Sequence, residues 1–188
     1  MTILRCSIIF LWVMMSFSCY SQKKKTKKIV SNPLVLIEGT ITETHSYCGG
    51  ARPPEDLIKE LRTPKPITAQ YKLYIRKDSN DLQKPILYTV LTDTLGKFSI
   101  KLPIGKYVFV DANKKDKDTY SKTLAKYKTE NSQTSAIDIE CYKQYIATPD
   151  FTVEVTKNSS KLAITHNYHR DCNWSGAPCV EYRGPLPQ

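Results

Sequence analysis

The 188-residue chain is long enough for one ordinary domain with a tail and too short for two full ones. Its 40% of hydrophobic residues excludes a chain that stays disordered for want of apolar surface. The net charge of +10 raises nucleic acid as a partner, but half of that excess sits in Lys23, Lys24, Lys25, Lys27 and Lys28. No helix-turn-helix, zinc-finger spacing or aromatic RNA-binding signature accompanies it, so no nucleic-acid partner is expected.

Residues 1–5 form a short basic start, and Ile8, Ile9, Phe10, Leu11, Trp12, Val13, Met14 and Met15 follow in an almost wholly apolar run. Such a run is shorter than the roughly 20 residues of a membrane-spanning helix and suits an export signal. The reading is a signal peptide over 1–21, with Gln22 as the first mature residue. Two alternatives stand beside it. Cys19 resembles the lipid-modified cysteine of a lipobox, though Ser16 departs from the leucine preferred there, so a membrane tether through Cys19 is one. A short anchor oriented by the lysines that follow is the other. Residues 22–33 read as a basic linker; close to an anionic surface each lysine there adds about 1 kcal/mol of attraction.

From residue 34 the pattern changes to short alternating runs bounded by Pro, Gly, Asn and Asp, which predicts half-buried strands. Val35, Ile37 and Ile41 share one face of the first, Tyr71, Leu73 and Ile75 of the second, and Ile86, Tyr88 and Val90 of the third. Asp93 and Gly96 mark a reversal expected to make a hairpin. Phe98, Ile100 and Leu102 follow, then Tyr107 to Val110, then Phe151, Val153 and Val155, then Leu162 and Ile164. Pro54, Glu55, Asp56, Lys59 and Arg62 have the polarity of one short helix, with Leu57, Ile58 and Leu61 as its apolar face. Residues 111–133 read as a mobile insertion, weakly helical over 120–127. Seven strands without strand–helix alternation predict a mainly β, antiparallel sandwich. The domain spans 34–188, with insertions at 44–66 and 111–133 and a cysteine-bearing C-terminal tail.

The segment Ile37-Glu38-Gly39-Thr40-Ile41 and the later run from Thr92, Asp93, Gly96 and Phe98 to Leu102, Pro103, Gly105 and Tyr107 carry a recognisable pattern. Together they resemble the carboxypeptidase regulatory-like, transthyretin-like superfamily over residues 35–110. That resemblance implies a small Greek-key β-sandwich, used as an accessory, adhesion or scaffold module. It assigns Gly96 and Gly105 to turns and Phe98 and Tyr107 to the core, and it implies no catalytic residue. The insertion at 44–66 and the tail after His166 depart from the family pattern, so individual function is expected there.

With Cys6 and Cys19 in or beside the signal, Cys48, Cys141, Cys172 and Cys179 are left, an even number in an exported domain. They read as two disulfides with three possible pairings. Closing the short Cys172–Cys179 loop costs the least chain entropy, which leaves Cys48 for Cys141. Two chemistries compete with this reading. His45 lies three residues before Cys48, and His166, His169 and Cys172 recur at three-residue spacing, which offers imidazole and thiolate to zinc or copper. The spacing does not match structural zinc sites, and it cannot place every side chain on one face of a strand. Cys48 beside Gly49 and Gly50, with a histidine, offers a cysteine nucleophile and backbone donors for an oxyanion. Neither set is complete, so no enzyme, metal or cofactor is expected. The expectation is a non-catalytic exported envelope module that binds or scaffolds a protein or glycan. Trp174, Tyr182 and Arg183 in the tail are candidate partner contacts, or else cover an edge of the sandwich.

Overall fold

The structure is a computed structural model that describes residues 33–68 and 70–185. The expectations for the signal peptide, the lysine tract and Cys19 lie outside the described residues. Among these the order is β1 (Leu34–His45), α1 (Glu55–Arg62), β2 (Lys65–Pro66), β3 (Lys72–Lys77), β4 (Tyr88–Leu91), β5 (Lys97–Pro103) and β6 (Gly105–Val110). A 3-10 turn (Ala112–Lys114), α2 (Lys117–Lys126), α3 (Ile139–Ala147), β7 (Phe151–Val155) and β8 (Lys161–Arg170) complete it.

The strands form two four-stranded sheets. In the first, β1 is central. Its register with β8 is parallel, from Leu36 opposite Lys161 to His45 opposite Arg170. β8 takes one edge of β1, so β5 and β2 share the other in tandem, both antiparallel. The second sheet runs β4-β3-β6-β7 and is antiparallel throughout. The sandwich is therefore mainly β as expected but mixed rather than antiparallel, with eight strands and three α-helices among the described residues.

The alternating residues do what their period dictates. Val35, Ile37 and Ile41 of β1, Leu73 and Ile75 of β3, Phe98 and Leu102 of β5, Tyr107 and Phe109 of β6 and Val153 and Val155 of β7 meet in one buried cluster. Burying each such side chain stabilises the fold by roughly 1.5–3 kcal/mol. Gly39 admits the Phe98 ring from the facing strand: a Cβ there would lie 2.1 Å from it. Gly96, at φ +68°, lets its carbonyl oxygen accept from Ile41 N–H. A Cβ at that position would strike Ile41 O at 2.2 Å.

The expected hairpin at residues 92–97 is a reversal of another kind. Leu95 and Lys97 N–H both donate to Asp93 Oδ1, so the turn chemistry is as read. But β4 belongs to one sheet and β5 to the other, so the chain crosses between layers instead of pairing with itself. It crosses back at residue 104.

A third layer replaces the loose insertion expected at 111–133. Arg76, Val108 and Val110 point away from the sandwich core, yet all three are buried. Arg76 donates to Lys84 O, Asn80 Oδ1 and Lys115 O, and Asn80 Nδ2 donates to Ile146 O, which seats the helical segment over the outer face of β3 and β6. Asp116 caps α2 through Thr119 N–H, and Asp138 caps α3 through Glu140 and Cys141 N–H. Tyr127, Ile137, Tyr142, Ile146 and Ala177 form a second buried cluster in this layer.

Candidate functional site

The cysteines pair as Cys48–Cys172 and Cys141–Cys179. This overturns the expected Cys172–Cys179 and Cys48–Cys141 pairing, and the reason is the parallel strand. β8 runs alongside β1, so the residues just beyond the two strand ends arrive together, while Cys172 is carried away from Cys179. Cys141 lies on α3, where it anchors the returning tail. Loop length alone favoured the short closure, and topology outweighed it.

Bonded to each other, Cys48 and Cys172 are not free thiols. The Cys48 nucleophile and the thiolate of the His166, His169 and Cys172 set are both removed by that bond. The two histidines also part company, because β8 sends them to opposite faces. His166 packs inward against Phe151 (4.7 Å) and Tyr168 (4.6 Å). Burial lowers its pKa below the ordinary 6.5, with Asp150 opposing that shift and Lys114 adding to it. His169 lies on the outer face. Among the described residues no group of three or more His, Cys, Asp or Glu side chains is arranged to hold a metal ion.

His169 instead completes a polar chain across the parallel pair. Thr42 Oγ1 donates to Asn167 Oδ1 and Asn167 Nδ2 donates to Thr44 Oγ1, each at 2.9 Å. Thr44 Oγ1 is 3.0 Å from His169 Nδ1, and Ser46 Oγ is 3.0 Å from His169 Nε2. Ser46 then donates to Asp171 Oδ1 at 3.0 Å. With each hydroxyl proton used once, the chain runs in one direction and assigns the neutral His169 proton to Nε2. It ends beside the Cys48–Cys172 bond and fixes Asp171 at the end of β8.

Asp171 is one wall of a cleft of about 450 Å³. Its lining includes Arg170 and Asp171 from the end of β8, Lys126 of α2, Tyr145 of α3, Asp111, and the tail residues Asn173, Gly176, Ala177 and Pro178. Beneath it is a buried ion network. Asp150 Oδ1 accepts from Lys114 Nζ at 2.7 Å, while Oδ2 accepts from Asp111 N–H at 2.7 Å and Tyr168 Oη at 2.9 Å. Lys114 also donates to Thr148 O and lies 4.3 Å from the Tyr145 ring centre. Lys114 pairs directly with Asp150 alone among the described residues, and its charge draws the Asp111 carboxyl down only weakly. Burial, and then the Asp150 charge, push the Asp111 carboxyl above its ordinary range against two hydrogen bonds from Asn113. Tyr71 is pushed up to about 12 by burial and then by Asp111. Tyr145 is pushed up by the same causes. Arg170 bridges to Glu43 at 3.4 Å and lies 5.0 Å from the Tyr168 ring centre.

The tail residues singled out in the sequence fall nearby but not in the cleft. Trp174 and Tyr182 stand edge to face at 5.8 Å, with Trp174 38% exposed. Arg183 is engaged by Glu130 and Glu181. Tyr182 pairs with Thr134 in an isolated bridge, and Ser135 N–H donates to Glu181 O. The tail therefore covers the helical layer, not an edge of the sandwich. A smaller cavity of about 320 Å³ lies between α1 and the end of β1, lined by His45, Tyr47, Ile58, Leu61 and His169 among others, and a wider, shallower one of about 750 Å³ is lined by Glu38, Thr40, Asp93, Lys97 and Thr165 among others.

Asp111, Lys114, Tyr145 and Asp150 were not read from the sequence. The usable signal was the pair of capping aspartates, Asp116 and Asp138, each opening a short periodic run that puts tyrosines on one face.

No family model matches the chain, and no curated protein does. Solved structures resemble it distantly. The Bacillus anthracis TIE protein is 16% identical at a TM-score of 0.34, over 73% of this chain and 17% of that one. The shaft pilin SpaA from Lactobacillus rhamnosus GG is 11% identical at 0.40, over 74% and 52%. A DUF3823 family protein from Parabacteroides merdae is 12% identical at 0.31, over 74% and 46%. The matched part spans about half or less of each of those chains. The chain is a disulfide-bonded β-sandwich with distant structural similarity to these proteins, and no family is assigned to it.

Proposed function

We propose that the chain is a non-catalytic exported module that binds a protein or glycan ligand in the cleft between the end of β8 and the α2–α3 layer. The carrying observation is that cleft: it lies within the volume range of ligand sites, roughly 300–1,000 Å³, and its walls are fixed by both disulfides and a buried ion network. Rigid walls reduce the ordering cost of binding. Two disulfides support an oxidising, extracytoplasmic setting. With Cys48 and Cys172 bonded to each other, neither of the cysteine-based sets that competed for a catalytic or metal role has its thiol.

Amide resonances of the oxidised full chain, followed while short peptides and oligosaccharides are titrated in, test this. Shifts gathered around Asp111, Tyr145 and Asp171 support the reading. Shifts gathered on Trp174, Tyr182 and α1 move the site to the exposed insertion and tail, and turnover of any probe makes the chain an enzyme.

A further inference from the structure

We infer that the chain pairs with a second copy of itself through β8, the two strands running antiparallel about a two-fold axis at His166. The observation that carries this is the edge of the first sheet, apart from the cleft.

β8 ends that sheet on one side: one of its edges bonds β1, and no strand among the described residues lies along the other. Which groups face outward follows from the register. Ser46 N–H donates to Arg170 O, and in a strand the main-chain groups of successive residues point to alternate sides. Along the unbroken register from Lys161 to Arg170 the even-numbered residues therefore bond β1. The N–H and C=O of Ala163, Thr165, Asn167 and His169 point away from it. An extended backbone is what matches such a row.

Edges of this kind are ordinarily guarded by shortness, proline, bulges or exposed charge. The other edge strands are so guarded: β2 has two residues, β4 four and β7 five, while β5 carries Lys97, Lys101 and Pro103. β8 has ten residues without proline, glycine or a break in register, and no Lys, Arg, Asp or Glu from Leu162 to His169. Its two end charges are engaged within the chain, Lys161 with Glu38 at 2.8 Å and Arg170 with Glu43 at 3.4 Å. On the inner face Leu162, Ile164 and Tyr168 pack on the core yet stay part-exposed. That is the state of a strand whose sheet lacks its next neighbour.

A second copy fits this edge because the strand complements its own reverse. A two-fold axis at His166 sets Thr165 against the partner's Asn167 and Ala163 against the partner's His169, so outward main-chain groups meet outward ones. On the inner face Ile164 meets the partner's Tyr168, an aliphatic–aromatic cross-strand pair. At both ends Lys161 comes opposite the partner's Asp171, a side chain 81% exposed in the single chain. Moving the axis to Thr165 removes that charge pair and sets Lys161 against the partner's His169. The two-fold also closes on itself, so pairing stops at a dimer.

The test is sedimentation of the oxidised full chain from about 1 µM to about 1 mM, with amide hydrogen exchange read at both ends of that range. A reversible dimer is expected, in which the amides of Ala163, Thr165, Asn167 and His169 slow as it forms while those of Leu162 and Ile164 are slow throughout. Thr165→Pro removes an N–H that β1 does not use, so it is expected to abolish the dimer and leave the monomer's melting temperature in place. Lys161→Glu sets like charges together at both ends and is expected to weaken the dimer about tenfold; adding Asp171→Lys is expected to restore it. Should the proline variant not fold, this charge exchange decides alone. A monomer at every concentration leaves the edge to another protein's strand and overturns the copy. Amides already slow in the monomer place a segment of the same chain on the edge and overturn it too. A dimer that leaves those four amides fast forms elsewhere, and a double variant no tighter than Lys161→Glu overturns the axis at His166.

Discussion

Arg76 shows how a charged side chain becomes part of a β-protein's interior. It is 2% exposed and spends its guanidinium on two main-chain carbonyls and the Asn80 side chain, tying strand β3 to the loop at 84 and the turn at 115. Lysine has neither the fork nor the planarity to reach three acceptors at once. Arg76→Lys is therefore expected to lose about 2–4 kcal/mol in urea unfolding, through acceptors left buried and unpaired. A loss within error of zero removes Arg76 as the clamp between layers. His166 gives a pH dependence of known sign. Its folded pKa is depressed by burial, so the unfolded chain takes the proton first. This contribution is level above about pH 7 and is lost as pH falls through the ordinary value of 6.5, until the folded ring protonates too. Because the ring is half-exposed, the effect is small: His166→Gln is expected to flatten the melting temperature's fall between about pH 8 and pH 5 by about 1–2 °C. A steeper fall in the variant reverses the assignment.

Among the elements, those whose signal is periodic were legible, and those defined by long-range pairing were not. β1, β5 and β7 alternate a buried face with a more exposed one, and the sequence displays that directly; β3 alternates as far as Ile75, and its Arg76 is buried on the other face. β6 reads differently: Tyr107, Val108, Phe109 and Val110 are apolar without alternation and all are buried. Such a run is the mark of a strand covered on both faces, and it was the available sign of a third layer over 111–147. The parallel partnership of β1 and β8 has no local signature at all, and the disulfide pairing depends on it. The two bonds differ in what they restrain. Cys48–Cys172 closes 124 residues and Cys141–Cys179 closes 38, so chain entropy credits them with about 5 and about 4 kcal/mol respectively. Cys48→Ser with Cys172→Ser is expected to lower the global melting temperature more. Cys141→Ser with Cys179→Ser is expected to raise hydrogen exchange in α3 and the tail while β1 and β8 keep their protection. Equal effects on exchange in both layers would mean that the tail is held by packing alone.

The whole molecule joins two sheets that the sequence announced to a helical layer that it did not, and the cleft lies where the third layer meets the end of β8. A site assembled at such a junction draws its groups from residues 111 to 178, which is why no single motif displayed it. Its walls also depend on where the protein folds. Cys141–Cys179 is the covalent link between α3 and the tail, and Cys48–Cys172 ties the end of β8 to the chain leaving β1. Both form in an oxidising compartment and stay reduced in the cytosol. The apolar run at 6–17 and the four cysteines thus make one joint prediction. Mature protein recovered from its host is expected to begin at Gln22, to contain no free thiol among its four cysteines, and to yield the Cys48–Cys172 and Cys141–Cys179 peptides under non-reducing digestion. A blocked, lipid-bearing Cys19 at the start changes the means of attachment but keeps the export and both bonds. Full-length protein starting at Met1 in the cytosol with all six cysteines as free thiols removes export, both cross-links and the fixed walls of the cleft together.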